Sequence, residues 1–459
     1  MELNIEYIFI LCILYINDIG DDFMNNHMDI PWHEYTNKDS KIKIENASLT
    51  EKSSVIGRIG LMLLACGTGA WRVRSSMNTI ASELNITCIA DIGLTSISYT
   101  CIDGIESHAQ SLSLHNTSVN TSKLARMEDF VYHFKDECKT CTCNEIHDQL
   151  DQIESIHSSY SPIILGLAAA LACSCFTFLL GGGPIEMLCA FVGAGLGNTL
   201  RMKLIKHNYT LFLNVAASVS LACLAYALLF NFLETHFGIS TQHEAGYICS
   251  MLFIIPGFPF ITSGIDLAKL DLRSGLERLA YAIIIILAAT LTAWICALVL
   301  HLQPVDFVKL HISTSTKLLL RLLTSFGGVF GFSIMFNSSK KIAASAGCIG
   351  AIANTLRLTL VDLSLPAAAA AFIGALTAGL LASMIKGNTG YPRIAITVPS
   401  IVIMVPGLYM YRAIYNLELT STMSIGANWF IQSLLIVLAL PMGLIFARIL
   451  TDPSFRYCT

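Results

Sequence analysis

The sequence predicts an all-α polytopic membrane domain of ten helices in two inverted five-helix repeats, preceded by a small α+β cytoplasmic domain. Three observations carry this. Of 459 residues, 54% are hydrophobic and only 13% charged, about half the charge of a soluble globular protein. From Pro162 onward nearly everything is apolar runs broken by short polar loops. Two short motifs also recur in the same order at a nearly constant offset.

Residues 1–50 are a poorly defined leading segment. The apolar stretch at 7–16 follows Glu2 rather than lysines and precedes Asp18, Asp21 and Asp22, a poor signal peptide, and Met24 and Met28 are alternative starts. Residues 51–160 read as a cytoplasmic α+β domain: two amphipathic helices over 54–66 and 71–84, three strands within 86–114, and a helix over 122–134. A polar helix over 145–157 is expected to lead into the first span. Of the fifteen cysteines, most sit singly in apolar segments and give no disulfide framework.

A hydrocarbon core of about 30 Å needs about 20 helical residues. Ten segments qualify, near 161–180, 184–201, 211–230, 245–263, 279–300, 320–337, 342–360, 365–385, 394–411 and 427–448, giving one repeat in 161–301 and a second in 302–459. If residues 1–160 are cytoplasmic, the inside loops hold Arg201, Lys203, Lys206, Lys269, Arg273, Arg278, Lys340, Lys341, Lys386, Arg393, Arg448 and Arg456. The outside holds only Lys309, Lys317, Arg321 and Arg412. That bias places both termini inside a multi-pass protein of the cell (inner) membrane.

The repeats show in Asn198-Thr199-Leu200-Arg201, which returns as Asn354-Thr355-Leu356-Arg357, and in Ile255-Pro256-Gly257-Phe258, answered by Val405-Pro406-Gly407-Leu408. Because five is odd, the second unit enters the bilayer from the opposite side, the architecture many secondary transporters use for alternating access.

The chain resembles the threonine/serine exporter family, including its two-subunit bacterial relatives proposed to export succinate. The resemblance rests on Gly67-Thr68-Gly69-Ala70-Trp71-Arg72, on the stretches 168–176 and 192–201, and on Ile255-Pro256-Gly257-Phe258-Pro259-Phe260-Ile261 followed by Asp266 and Arg278. It implies a soluble cytoplasmic domain and two five-span units, here fused, exporting small amino acids (threonine, serine), driven by an ion gradient. A dicarboxylate such as succinate is the alternative cargo. Cys138-Lys139-Thr140-Cys141-Thr142-Cys143 departs from that pattern.

Proline followed by glycine in mid-span removes a backbone donor and breaks the helix. The groups freed at Pro256-Gly257 and Pro406-Gly407 are tolerated only inside protein or beside a cavity, and suit a substrate carboxylate; the competing reading is a structural kink. Arg201 and Arg357 can pair with a carboxylate through two hydrogen bonds, with Asn198 and Asn354 one turn away. For Arg201 the competing reading is a helix-end arginine snorkelling to the interface. Asp266 is a candidate ion-coupling carboxylate, against an ordinary salt bridge to Lys269.

Cys138, Cys141 and Cys143 with His133 and His147 have zinc-ligand chemistry without a zinc spacing. Ser107, His108 and His115 lack any nucleophile-elbow motif, so no catalysis is expected. The Gly67-Thr68-Gly69 turn lacks the lysine of a phosphate loop, so no nucleotide cofactor is implied. A net charge of −4 offers no stripe for nucleic acid. The expected partners are a small-molecule substrate and the lipid bilayer, with homo-oligomerisation left open. The rival class is a membrane-tethered sensor or binding protein.

Overall fold

A computed structural model describes residues 30–36, 42–156, 159–238, 245–302, 307, 312–389, 392–418 and 423–456. The apolar stretch at 7–16 lies outside the described residues.

The leading module is built on helix α1 (Leu49–Ala65), which begins earlier than its apolar periodicity suggests because Ser48 and Glu51 form a reciprocal capping box. After α2 (Ala70–Glu83), strands β1 (Thr87–Ile92), β2 (Ser96–Asp103) and β3 (Glu106–Ser113) form an antiparallel sheet in the order β1-β2-β3. On β2, Ile97, Tyr99 and Cys101 are buried while their neighbours are not, the period of two that a half-covered strand requires. Ser107 and His108, adjacent on β3, therefore point to opposite faces.

Helices α3 (Thr121–Glu137) and α4 (Cys143–Glu154) complete the module. The polar helix expected to run into the first span instead ends at Glu154 and lies along α1. Arg58 of α1, 2% exposed, draws it there by donating to the carboxylates of Asp151 and Glu154 and to the His147 carbonyl. The leading segment also reaches further into the fold than expected. Ile44 is fully buried, and Trp32 stacks on His147 with the Arg58 guanidinium 5.8 Å from its ring. Ile30, Trp32 and Ile44 thus pack against the module.

The remaining helices are α5 (Pro162–Leu179), α6 (Pro184–Lys206), α7 (Leu211–Phe237), α8 (Tyr247–Ser250), α9 (Gly257–Ala268), α10 (Leu272–Val299), α11 (Thr314–Met335), α12 (Lys340–Asp362), α13 (Ala367–Thr389), α14 (Arg393–Val402), α15 (Gly407–Glu418) and α16 (Met423–Thr451). Seven are long and apolar enough to cross a membrane, or nine spans if each of two bent pairs counts once. The segment expected to make a tenth, α6, is a full-length helix outside that count; Glu186, Asn198, Arg201 and several glycines make it less apolar. Large apolar side chains such as Ile163, Phe212, Ile295, Leu319 and Phe446 face outward from these helices, a surface that suits lipid and not water.

Helix pairing follows one scheme twice. In the first set α5 packs on α6, α6 on α7 and α8, α7 on α10, and α9 on α10; in the second α11 packs on α12, α12 on α13 and α14, α13 on α16, and α15 on α16. The sets join where α5 meets α11. A Cβ on Gly331 there would lie 2.5 Å from the Ala168 carbonyl, so glycine lets the two backbones touch.

The module sits on one end of this bundle. The Leu94 N–H donates to Glu277, Arg74 pairs with Asp271, Thr121 N–H donates to the Phe336 carbonyl, and Tyr160 donates to the Ser338 carbonyl. Trp71 packs edge-on against Phe455, ring centroids 5.5 Å apart. The α9–α10 loop, the α11–α12 loop and the C-terminal turn thus share the module's face.

Candidate functional site

Both proline–glycine pairs break their helices as expected. Residues Tyr247–Ile254 meet Gly257–Ala268 at 52°, and Arg393–Val402 meets Gly407–Leu417 at 48°. The breaks are made by the same backbone bonds. Ile254 N–H donates to Met251, Ile255 to Leu252 and Gly257 to Ile255; Met404 donates to Ile401, Val405 to Val402 and Gly407 to Val405.

The two breaks are also seated in each other. A Cβ on Gly257 would lie 3.1 Å from Val402 Cγ1 and 3.3 Å from Val405 Cγ2, and one on Gly407 would lie 2.5 Å from Ile255 Cδ1 and 2.9 Å from Leu252 Cδ2. Each glycine is thus the floor on which the opposite break rests. On the side away from the module, the Tyr247 and Tyr411 hydroxyls hydrogen-bond at 2.7 Å.

The asparagines and arginines of the recurrent motif divide into two tasks. Asn198 Nδ2 donates to the Leu165 carbonyl and Asn354 Nδ2 to Ser325 Oγ, tying the second helix of each set to the first. Arg201 reaches the first break, its guanidinium 3.4 Å from the Phe253 carbonyl. Arg357 donates to Asn354 Oδ1 at 3.0 Å and lies against Gly374, which also touches Met404 of the second break. Arg201 thus touches the first break, whereas Arg357 is joined to the second only through their shared neighbour Gly374.

Asp266 is fully buried but has a different partner from the one expected. Lys269 donates to the Phe455 carbonyl, while Asp266 pairs with Arg278 at 3.2 Å and accepts from Ser274. Its two oxygens also face the Ala70 N–H at 3.0 and 3.2 Å. That N–H belongs to the first turn of α2, where backbone donors lack intrahelical partners and favour negative charge. Arg278 donates in turn to the Gly67 and Thr68 carbonyls. The glycine-rich turn of the module and the charged pair of the bundle form one clasp.

The cysteine run does not form a ligand cluster among the described residues. Cys138 faces Gln149, Cys141 the Glu137 carbonyl and Cys143 the Glu51 carbonyl. Burial pushes the Cys138 and Cys143 thiols up to about 12 and raises Cys141.

Sequence reasoning missed the tyrosine pair, since neither residue carries a motif. It also missed what joins the Gly67 turn to Asp266 and Arg278, although it singled out all three.

Seven to nine membrane-length apolar helices, two of them broken pairs packed into each other, make this a multi-pass membrane protein. The chain belongs to the threonine/serine exporter family. Residues 54–300 match a family described as "Putative threonine/serine exporter" and residues 321–450 one described as "Threonine/Serine exporter, ThrE". A protein of Mycobacterium tuberculosis called "Probable threonine/serine exporter" is 21% identical over 418 residues, 87% of this chain and 76% of that one. No solved structure matches the chain.

Proposed function

We propose that the chain exports threonine and serine across the cell membrane as an ion-gradient-driven secondary transporter, with both termini and the module in the cytoplasm. The supporting observation is the pair of breaks built from the same backbone bonds and seated in each other, at the junction of two sets of helices paired by one scheme. With α6 as the tenth span, the sets are five-span repeats of opposite orientation, and domains fall at 51–160, 161–301 and 302–459.

In this reading the substrate lies between the repeats. The guanidinium groups of Arg201 and Arg357 take the carboxylate, and the carbonyls freed around Pro256-Gly257 and Pro406-Gly407 take the ammonium group. Asn198 and Asn354 hold the helices that carry the arginines. Asp266, at the clasp, is the coupling carboxylate, so that proton or cation occupancy there is felt by the module. The names of the family and of the mycobacterial protein favour amino acids over the dicarboxylate alternative.

The test is efflux of labelled threonine, serine and succinate from preloaded proteoliposomes, with and without a pH gradient, comparing the intact protein with Arg357→Ala. Gradient-dependent threonine or serine efflux, lost in the variant, is the expected result. Succinate efflux alone would select the dicarboxylate reading, and a folded protein that moves none of the three would leave a membrane-tethered sensor.

A further inference from the structure

The sheet of the module carries chemistry that transport does not use. Cys88 of β1 and Cys101 of β2 are partners in the strand register. Both point to the face that packs on α1, where Cys88 is 8% exposed and Cys101 fully buried. Their thiols are hydrogen-bonded to each other, and the Ser53 hydroxyl of α1 makes a further hydrogen bond to Cys101.

The phase of the ladder decides whether two facing cysteines can be joined. The Gly93 N–H donates to the Ser96 carbonyl, and the Leu114 N–H to the Thr95 carbonyl. Even-numbered residues of β2 therefore turn their backbone groups toward β1, and odd-numbered ones toward β3. Cys88 and Cys101 are thus a non-hydrogen-bonded pair, in which the α-carbons stand about 4.5 Å apart and the side chains approach most closely. A disulfide spans α-carbons about 4.4–6.8 Å apart. Both cysteines are free thiols here, and the bond between them can close by side-chain rotation.

The surroundings also select the reagent. The Cys88 thiol, with Ser53 assisting against burial, holds the Cys101 thiol below its ordinary pKa, which supplies a nucleophile. Two sulfurs so enclosed exclude a bulky disulfide and admit only a small oxidant.

We propose that Cys88 and Cys101 are a peroxide-reactive dithiol, converted by a small hydroperoxide into a cross-strand disulfide between β1 and β2. The Cys101 thiolate attacks one peroxide oxygen, the O–O bond breaks, and the departing hydroxide takes up a proton as water, leaving a sulfenic acid on Cys101. The Cys88 sulfur then displaces the hydroxyl group, forming the S–S bond, and the Cys88 proton leaves with that hydroxyl as a second water. Two thiols lose two electrons and one peroxide gains them. A reversible link of this kind is how disulfides serve in a reducing compartment. The site is independent of the transport reading, because it contains no residue of the bundle.

The test treats the full-length protein in detergent with rising hydrogen peroxide, quenches by alkylation and reads the digest by mass spectrometry. Peptides joined through Cys88 and Cys101 should appear at peroxide concentrations at least tenfold below those that oxidise Cys141, a more exposed thiol of the same module. Dithiothreitol should remove the link. Oxidation should also raise the melting temperature reversibly, since the link restricts the unfolded chain, and Cys88→Ala should lose that shift. The wild-type digest reads the link by itself, which keeps the site testable if the variant does not fold. Cys88 and Cys101 still alkylated once Cys141 is oxidised, a sulfinic acid on either without the link, or a link from either to another cysteine would each overturn the proposal.

Discussion

The hydroxyls of Tyr247 and Tyr411 meet at 2.7 Å although 164 residues separate them in the chain. They close the half of the crossed spans that faces away from the module, and both are buried. Replacing one tyrosine by phenylalanine strands the other hydroxyl in apolar surroundings, at a cost of about 1–3 kcal/mol. Tyr247→Phe and Tyr411→Phe should each lower the melting temperature in detergent, and the double variant should recover much of the loss. Additive losses in that cycle would mean the two hydroxyls are not coupled.

The seating of the breaks predicts unequal effects of a single methyl group. Gly407→Ala drives its Cβ onto Ile255 and Leu252, whereas Gly257→Ala meets Val402 and Val405 at distances that small shifts relieve. Overpacking of this kind costs about 1–3 kcal/mol. Gly407→Ala should therefore be the more destabilising of the two, and Ile255→Val, which deletes the clashing Cδ1, should rescue it. Thermal denaturation of the three variants reads the order directly.

The clasp at Asp266 predicts a loss of docking. Asp266→Ala leaves Arg278 buried without its carboxylate, which in such pairs costs about 3–5 kcal/mol, and removes the acceptor for Ala70. Faster amide exchange at the start of α2, with the sheet unaffected, is the expected outcome. Asp266→Asn keeps an acceptor and should show a smaller effect. Unchanged exchange in both variants would remove the clasp from the account.

His147 makes the module sensitive to acid. Burial, with the charge of Arg58 second, lowers its pKa from 6.5 to about 3. Its Nδ1 faces Arg58, so its Nε2–H donates to Ser54. A histidine held neutral stabilises the fold fully above pH 6.5, and this contribution falls as pH drops toward the folded pKa, because the unfolded chain then binds the extra proton. Between pH 6.5 and 5 the loss is about 2 kcal/mol. His33 works in the opposite sense: hydrogen bonds with Asn144 and then Asp151 raise its pKa, so its contribution is present below pH 6.5 and fades as pH rises. Melting of the wild type should drop between pH 7.5 and 5, and His147→Gln should flatten that dependence.

The breaks were legible because proline and glycine act on the backbone locally, whatever surrounds them. The strands of the module were legible from β-branched alternation for the same reason. Segments 161–180 and 342–360 differ little from α5 and α12, since length and apolarity decide a membrane helix. The partner of Asp266 was not legible. Lys269 is near it in sequence, but Leu270, with φ +64, turns the chain so that Arg278, two turns into the next helix, arrives instead. The anchoring of Trp32 and Ile44 was equally hidden, because a lone tryptophan in polar sequence gives no period to read. Arg448 counted in the sequence only as a positive charge at a helix end; its place above Trp71 is set by residues almost the whole chain away.

The mutual seating of Gly257 and Gly407 also governs how the protein is made. When the first break leaves the ribosome, the side chains that cover it, Val402 and Val405, have not been synthesised. At about 5–20 residues per second the wait is on the order of ten seconds, during which the first break has only the helices of its own set to pack against. The cell's insertion machinery must shelter the first half for that interval, and a chain truncated before residue 402 should be a preferred substrate for membrane quality-control proteases.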